Sequence, residues 1–118
     1  MNFLTANGIR LAYQIDGPED APVLVLVNSL GTNLYMWEPQ IAQFSRALRV
    51  VRYDVRGHGA SEAPLGAYTI EQLGRDLLGL LDALQIERAH ICGLSLGGMM
   101  ALWLAANSPE RVARAVLA

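Results

Sequence analysis

Apolar and polar residues alternate at the start of the chain and then give way to continuous apolar runs. The segments Phe3 to Thr5 and Ile9 to Ile15 alternate on either side of Asn7-Gly8, a dipeptide that favours a two-residue hairpin turn. Val23 to Val27 is unbroken and rich in β-branched residues, as expected for a strand buried on both faces of a parallel sheet. The pattern therefore predicts an antiparallel hairpin at the edge of a mostly parallel sheet.

Helical spacing and a second strand follow. Apolar residues recur at helical intervals from Trp37 to Leu48, and the predicted helix ends before Arg49, with Pro39 tolerated because it falls in the first turn. Val50 to Tyr53 is predicted as a short strand. The next stretch, Asp54 to Tyr68, contains several glycines and a proline and predicts a long loop. Loops of this length in compact domains commonly carry function.

The second half of the chain repeats the strand and helix pattern. A helix is predicted to open at Thr69-Ile70-Glu71-Gln72, which fits a capping box, and its apolar positions share one face. Ala89 to Gly93 is predicted as a strand, Leu96 to Ala106 as a helix that stops at Asn107-Ser108-Pro109, and Val112 to Ala118 as a further strand. Two strands, three strand–helix pairs and a last strand predict an α/β domain with right-handed crossovers.

Composition and net charge limit the classes of protein to which the chain can belong. With 53% hydrophobic and 17% charged residues in 118, the chain is expected to be a single globular unit. Nine basic residues, all arginine, against eleven acidic ones give a net charge of -2, which excludes a strong electrostatic footprint for nucleic acid or an anionic membrane. Residues 1–8 do not form a signal peptide pattern, so we expect a cytoplasmic location. The single cysteine, Cys92, is expected to be a buried structural thiol.

The junction between the predicted strand at Ala89 to Gly93 and the following helix carries the candidate chemistry. Residues 93–97 read G-L-S-L-G, a G-x-S-x-G motif. A serine on such a turn is held on a strained backbone with its hydroxyl exposed, and the N–H of the next residue points to the same space. Chance alone matches these three positions roughly once in three thousand windows. Ser95 is therefore predicted to be a nucleophile, the alternative being a serine that merely caps the helix.

A serine nucleophile needs a general base within about 2.6 to 3.2 Å. His90 lies five residues before Ser95 on an extended strand, so at about 3.3 Å per residue it is about 16 Å away and is excluded. His58 is predicted to lie on the same rim of the sheet and is the only conceivable base. The usual chain order of the motif puts the acid and the histidine after the serine, so we favour a loop histidine bonded to backbone. For Asp54 we favour a role that fixes the loop, by accepting backbone N–H bonds or pairing with Arg56, over that of the triad acid.

Several stretches of the chain together resemble the α/β-hydrolase family and, within it, the 3-oxoadipate enol-lactonases. They are N-S-L-G-T at residues 28–32, M-W at 36–37, D-V-R-G-H-G-A-S at 54–61, G-L-S-L-G-G-M at 93–99 and P-E-R-V at 109–112. The resemblance covers essentially the whole chain, which matches the N-terminal part of such an enzyme. Asn28-Ser29, where many relatives have His-Gly, points to the enol-lactonase subgroup. Both residues also suit ordinary turn chemistry.

The resemblance implies a role for three residues. Ser95 is the expected nucleophile, and the backbone N–H groups of Leu96 and Leu30 are the expected donors of the oxyanion hole. The implied reaction is hydrolysis of the ring ester 3-oxoadipate enol-lactone, in the β-ketoadipate route of aromatic degradation. It proceeds through an acyl-enzyme on a small-molecule substrate, without a metal or other cofactor.

The resemblance also implies what the chain lacks. Family members usually have eight strands, a helical cap, a triad acid after strand seven and a histidine after strand eight, whereas this sequence reaches the sixth strand. The expected fold is an α/β-hydrolase-type, mostly parallel sheet with helices on both faces, truncated after about six strands, with residues 1–118 as the N-terminal part of one domain. We therefore expect this chain alone to be inactive, and its open sheet edge to favour self-association or a complementing C-terminal segment. The alternatives are another α/β-hydrolase, such as an esterase or a C–C bond hydrolase, and a non-catalytic module that assembles with a partner chain.

Overall fold

One sheet of six strands organises the chain, whose residues 1–118 are all described by a computed structural model. The strands are β1 (Asn2–Ala6), β2 (Ile9–Asp16), β3 (Val23–Val27), β4 (Arg49–Tyr53), β5 (Ala89–Gly93) and β6 (Val112–Leu117). Their order across the sheet is β1-β2-β4-β3-β5-β6. β1, β2 and β4 pair antiparallel, whereas β4, β3, β5 and β6 are parallel. The predicted hairpin at the edge of a parallel sheet is confirmed.

Helices cover both faces of this sheet. They are α1 (Glu38–Phe44), α2 (Ile70–Ala83) and α3 (Leu96–Asn107), with short 3-10 turns at Leu34–Trp37 and Pro109–Arg111. α2 and α3 pack side by side on one face, and α1 lies on the other. No helix combines the length and the apolar character needed to cross a membrane.

The two faces carry cores of unequal size. The larger core lies between the sheet and helices α2 and α3, and includes Val25, Val27 and Leu77. The smaller core, beneath α1, is centred on Leu26 and Ile41. Because neighbouring residues of a strand point to opposite faces, β3 contributes to both cores, which accounts for its continuous apolar sequence.

Two predictions about the smaller core need correction. α1 ends at Phe44, not near Leu48, because the following residues turn so that the Arg49 N–H reaches the Pro22 carbonyl, 2.9 Å away, and starts β4 beside β3. Cys92 is free but only half buried, at the border of the smaller core, and not fully buried as predicted. Its partial burial raises the pKa of the thiol.

The start of α2 is confirmed, but its capping box is only half formed. The Thr69 hydroxyl accepts a hydrogen bond from the Gln72 N–H at 3.0 Å, as expected of an N-cap. The reciprocal bond is missing, since the Gln72 Oε1 atom is buried without a partner. Of the two bonds of a capping box, only the one accepted by the threonine is therefore formed.

Candidate active site

Ser95 occupies the sharp turn between β5 and α3. Its backbone has φ 56° and ψ -113°, a conformation that residues with a side chain rarely adopt. Its N–H donates to the Ala118 carbonyl at 2.7 Å, so the turn is bonded to the end of β6. The Ser95 side chain makes no capping hydrogen bond, which contradicts the alternative that this serine merely caps the helix.

The backbones of the turn and of β3 approach one another very closely. The end of β3 lies beside the end of β5, with Val27 opposite Gly93, and the Leu94 N–H donates to the Val27 carbonyl at 3.1 Å. A Cβ atom on Gly97 would collide with that same carbonyl group. The glycine that ends the G-x-S-x-G motif is therefore required for α3 to start against β3.

An apolar groove opens beside Ser95. It has a volume of about 250 Å³ and is lined, besides the serine, by Gly98, Met99, Leu102, Leu117 and Ala118. A polar groove of about 360 Å³ lies at the opposite end of these strands, before β5 and β6 begin, and is lined by Asp82, Gln85, Ile86, Glu87 and Arg111. Only the first groove contains the candidate nucleophile.

The loop that follows β3 is held at its start by Asn28. This side chain is 1% exposed and bridges two other elements: its Nδ2 donates to the Tyr53 carbonyl at 2.8 Å, and its Oδ1 accepts from the Trp37 indole N–H at 2.8 Å. Two residues later the loop is open, since the Leu30 side chain is 71% exposed. The Leu30 N–H donates to no other atom of the protein, so this candidate donor is free.

The loop after β4 is fixed by Asp54, as the sequence predicted. One carboxylate oxygen accepts the Leu34 N–H and the other accepts the Ala60 N–H, both at 2.8 Å. The alternative partner, Arg56, pairs instead with the buried Asp76 of α2 through two bonds of 2.7 and 2.9 Å. The hydrogen bonds to Asp76 raise the pKa of the Arg56 guanidinium. Asp54 is thus a structural carboxylate that joins the loops after β3 and β4.

Neither histidine is available to Ser95, because His58 is hydrogen-bonded to backbone and His90 lies far away. The His58 Nε2 atom lies 2.9 Å from the Gly31 N, and Nδ1 lies 3.0 Å from the Arg56 carbonyl oxygen. This matches the expectation of a loop histidine bonded to backbone. His90 pairs with Leu24 at the start of β5, at the end of the strand away from Ser95. No group of three or more histidine, cysteine, aspartate or glutamate side chains is placed to hold a metal ion.

The sequence pattern of the alpha/beta hydrolase fold matches residues 22–118. The chain belongs to the α/β-hydrolase family. It is 50% identical over 115 residues to 3-oxoadipate enol-lactonase 2 of Acinetobacter baylyi, covering 98% of this chain and 43% of the relative. Among solved structures, the enol-lactonase from Burkholderia xenovorans LB400 superposes with a TM-score of 0.96 at 54% identity, covering 98% of this chain and 45% of that one.

Other members of the family share this part of the fold with different activities. An epoxide hydrolase from Vigna radiata superposes with a TM-score of 0.91 at 28% identity, covering 97% of this chain and 37% of that one. The chain thus spans less than half the length of these relatives. The resemblance to 3-oxoadipate enol-lactonases is confirmed, and so are the predicted fold class and the family of hydrolases.

Sequence reasoning missed two residues that shape this α/β-hydrolase site. In the sequence, Asn28 is a marker of the enol-lactonase subgroup and suits local turn chemistry, but neither interpretation predicts its bonds to Trp37 and to the end of β4. Asp76 lies on the buried face of α2 among leucines and holds Arg56. The sequence does contain a signal for Asp76, because it is an acidic residue on the apolar face of a helix. Buried charges are normally paired, so a partner such as Arg56 could have been expected.

Proposed function

We propose that Ser95 is the nucleophile of a hydrolase that opens the ring ester 3-oxoadipate enol-lactone. The observation that carries the proposal is the strained turn at Ser95, whose side chain is free of capping bonds and faces an apolar groove. Supporting it is the similarity of the chain to proteins named enol-lactonases. We further infer a place in the β-ketoadipate route of aromatic degradation. The cytoplasmic location stays a prediction from the sequence.

The mechanism we propose is acyl transfer to serine. The Ser95 hydroxyl loses its proton to a base and attacks the lactone carbonyl, whose oxygen becomes an anion held by the N–H groups of Leu96 and Leu30. The ring C–O bond then breaks, and the leaving enolate takes a proton while it stays attached to the acyl group. Water next hydrolyses the acyl-enzyme, which releases the open-chain acid and restores Ser95.

The proton of Ser95 needs an acceptor that this chain does not supply in the required position. Both ring nitrogens of His58 are engaged with backbone, and His90 lies at the other end of β5. We therefore infer that residues 1–118 form the N-terminal part of one hydrolase domain and do not turn over substrate alone, because loss of a triad member removes orders of magnitude of rate.

A complementing partner is the second part of this proposal. β6 is the outer strand of the parallel side of the sheet, and Val116 and Leu117 on it are at least half exposed. Met99 and Leu102 of α3 extend the same apolar surface. We expect a C-terminal segment, or a second copy of the chain, to pair with this edge.

The nucleophile is tested by Ser95→Ala in the complete product of the coding sequence and in the 118-residue chain. We expect the variant to lose enol-lactone hydrolysis by about a thousandfold or more in the complete product, as for other triad residues. Labelling by a fluorophosphonate, mapped by mass spectrometry, is expected at Ser95. Ser108→Ala, at the other end of α3, is the matched control and should keep both activity and labelling. Equal turnover by Ser95→Ala and the wild type in the complete product would remove the proposal, whereas the 118-residue chain is expected to show no turnover with either residue.

The substrate is tested separately from the nucleophile. Turnover of the enol-lactone is compared with that of simple aryl esters and of a C–C bond substrate under the same conditions. We expect a preference for the lactone. A preference for the aryl ester or the C–C bond substrate would keep Ser95 as nucleophile and assign the chain to another hydrolase class.

A further inference from the structure

We propose that His58 is a positioning residue that holds the Leu30 N–H in place for the oxyanion, by accepting a hydrogen bond from the next residue, Gly31. The inference rests on the proposed function of Leu30 as an oxyanion donor. His58 lies 27 residues from Gly31 in sequence and belongs to the loop after β4, so the contact joins two loops at the rim of the sheet.

The two hydrogen bonds of His58 define one form of its ring. A backbone N–H can only donate, so the Nε2 atom 2.9 Å from the Gly31 N must be the acceptor. The proton of the neutral ring is then on Nδ1, which donates to the Arg56 carbonyl oxygen at 3.0 Å. The imidazolium form has donors on both nitrogens and cannot make the bond to Gly31. The same assignment leaves no free nitrogen for a role as catalytic base.

The His58 bond is the only hydrogen bond that Leu30 or Gly31 makes. The flanking Thr32 hydroxyl donates to the Ser29 carbonyl at 2.7 Å and closes a turn across the tip of the loop. The ends of the loop are fixed elsewhere, at Asn28 by its two side-chain bonds and at Leu34 by Asp54. Between them, the Leu30 side chain is 71% exposed, and the space around a Cβ on Gly31 is empty to 4 Å. Neither residue makes any other hydrogen bond. Packing therefore does not determine the orientation of the peptide between Leu30 and Gly31.

The hydrogen bond from Gly31 to His58 matters because glycine has a flexible backbone. The φ of +77° at Gly31 is readily adopted by glycine, which also has many other accessible conformations. Fixing the Gly31 N–H fixes the plane of the peptide that follows Leu30, and with it limits the rotation of Leu30 about its Cα. Oxyanion donors must be preorganised to be effective, so freedom here would weaken transition-state stabilisation.

His58 is itself held rigidly enough to serve as an anchor. Its backbone N–H donates to the Val55 carbonyl at 2.8 Å, and the neighbouring Gly57 N–H donates to the Glu62 carbonyl at 3.0 Å. The adjacent Arg56 is fixed by its two bonds to Asp76 of α2. Through His58, the peptide between Leu30 and Gly31 is thus held in position relative to the buried residues of the protein.

The test uses two amide variants that differ by one methylene. In His58→Gln, the side-chain oxygen is as many bonds from Cβ as Nε2 is, so it can accept from the Gly31 N–H. In His58→Asn, the side chain ends at the position of Nδ1 and cannot reach Gly31. In the complete product of the coding sequence we expect His58→Asn to lower kcat about 10- to 100-fold with KM nearly unchanged, less than the loss of a donor itself. His58→Gln should restore most of the rate.

A second measurement is independent of catalysis. In 15N-labelled protein, the imidazole signals of His58 should show the Nδ1–H tautomer, and the Gly31 amide should exchange with solvent at least tenfold faster in His58→Asn than in the wild type or His58→Gln. Thermal unfolding of each variant separates this local change from a loss of fold.

The outcomes distinguish this inference from the proposed function. If Ser95→Ala keeps its turnover, the proposed function fails, whereas the tautomer and the Gly31 exchange still report on the hydrogen bond between Gly31 and His58. If Ser95 is the nucleophile but His58→Asn keeps the wild-type kcat, or if both amide variants lose rate equally with folded structures, the positioning role is overturned. An Nε2–H tautomer in the folded protein would overturn it as well.

Discussion

Gly97 shows how much the candidate site depends on a missing side chain. It lies in the first turn of α3, and a Cβ atom there would collide with the carbonyl of Val27 at the end of β3. Its neighbour Gly98 is less constrained, because the nearest atom to a Cβ there, the Gly93 carbonyl oxygen, would be 3.3 Å away. Two adjacent glycines of one helix are therefore under different constraints.

This difference predicts unequal effects of alanine at the two positions. Alanine favours helix over glycine by about 1 kcal/mol, but overpacking costs about 1 to 3 kcal/mol. Because the clash at Gly97 is with backbone, we take the upper end of this cost, and after the helix gain we expect Gly97→Ala to lower the free energy of unfolding by about 2 kcal/mol. We also expect it to reduce fluorophosphonate labelling of Ser95 in the complete product. Gly98→Ala should be close to neutral in chemical denaturation. Equal stability of the two variants would contradict the close approach.

At the residue scale, the features that could be predicted from the sequence are those that depend on local backbone chemistry. The turn at Ser95 follows from small residues placed between a strand and a helix, and the carboxylate role of Asp54 follows from its place at a strand end. The partners of Asn28 could not be read in this way. They come from the 3-10 turn before α1 and from β4, so they depend on which strands are neighbours.

At the scale of elements, one buried ion pair connects the long loop after β4 to α2. Arg56 and Asp76 are both buried, and Asp76 also accepts a hydrogen bond from the Asn7 side chain of the β1–β2 turn at 2.9 Å. The helix, the loop and the hairpin therefore meet at one carboxylate. α2 also carries an ordinary surface pair, Glu71 with Arg75, whose side chains are more than half exposed.

These two pairs provide a matched comparison on one helix. Asp76→Ala leaves the Arg56 guanidinium buried without its partner, so we expect a loss of about 3 to 5 kcal/mol in the free energy of unfolding. Glu71→Ala breaks an exposed pair and should cost less than about 0.5 kcal/mol. Urea denaturation followed by circular dichroism measures both. A cost below about 1 kcal/mol for Asp76→Ala would show that the pair does not hold the loop.

Element types were predictable, whereas element ends depended on tertiary constraints. The existence of each strand and α-helix followed from its apolar pattern, from caps such as Thr69 or, for α3, from the motif before it and the stop signal after it. The end of α1 did not, because Leu48 keeps the helical spacing but lies in the turn that brings Arg49 to Pro22. The 3-10 turn at Leu34–Trp37 was also missed, since its first N–H is held by the distant Asp54.

At the scale of the whole molecule, the exposed edge of the sheet at β6 is the feature with the largest consequence for association. The hairpin edge ends in β1, and the other edge is β6, whose exposed residues continue into an apolar surface on α3. This surface consists of Met99, Leu102, Val116 and Leu117, each at least half exposed. Exposed strand edges beside apolar surface favour association.

We therefore expect the 118-residue chain to associate as its concentration rises, as measured by sedimentation velocity. Burial of a leucine side chain contributes about 1.5 to 3 kcal/mol, so Leu102→Gln should weaken association at least tenfold. Leu65→Gln is the control, because Leu65 is fully exposed in the loop after β4 and lies outside the apolar surface. A chain that stays monomeric over the whole concentration range would contradict this prediction.

The architecture as a whole was predictable from the order of elements. A hairpin followed by repeated strand–helix units leaves few topologies once crossovers are right-handed. The placement of β4 between β2 and β3 adds the detail that the sequence left open. It brings the loops after β3 and β4 together, and so creates the contact between His58 and Gly31.

The hydrogen bonds of Ala118 bear on how this chain can be handled. Its N–H donates to the Gly93 carbonyl at 2.9 Å and its carbonyl accepts from the Ser95 N–H at 2.7 Å, whereas β1 lies at the opposite edge of the sheet. An affinity tag, dye or fusion joined directly after residue 118 would thus emerge within one peptide unit of the candidate nucleophile. Reporters are better attached before Met1, where the whole width of the sheet separates them from Ser95.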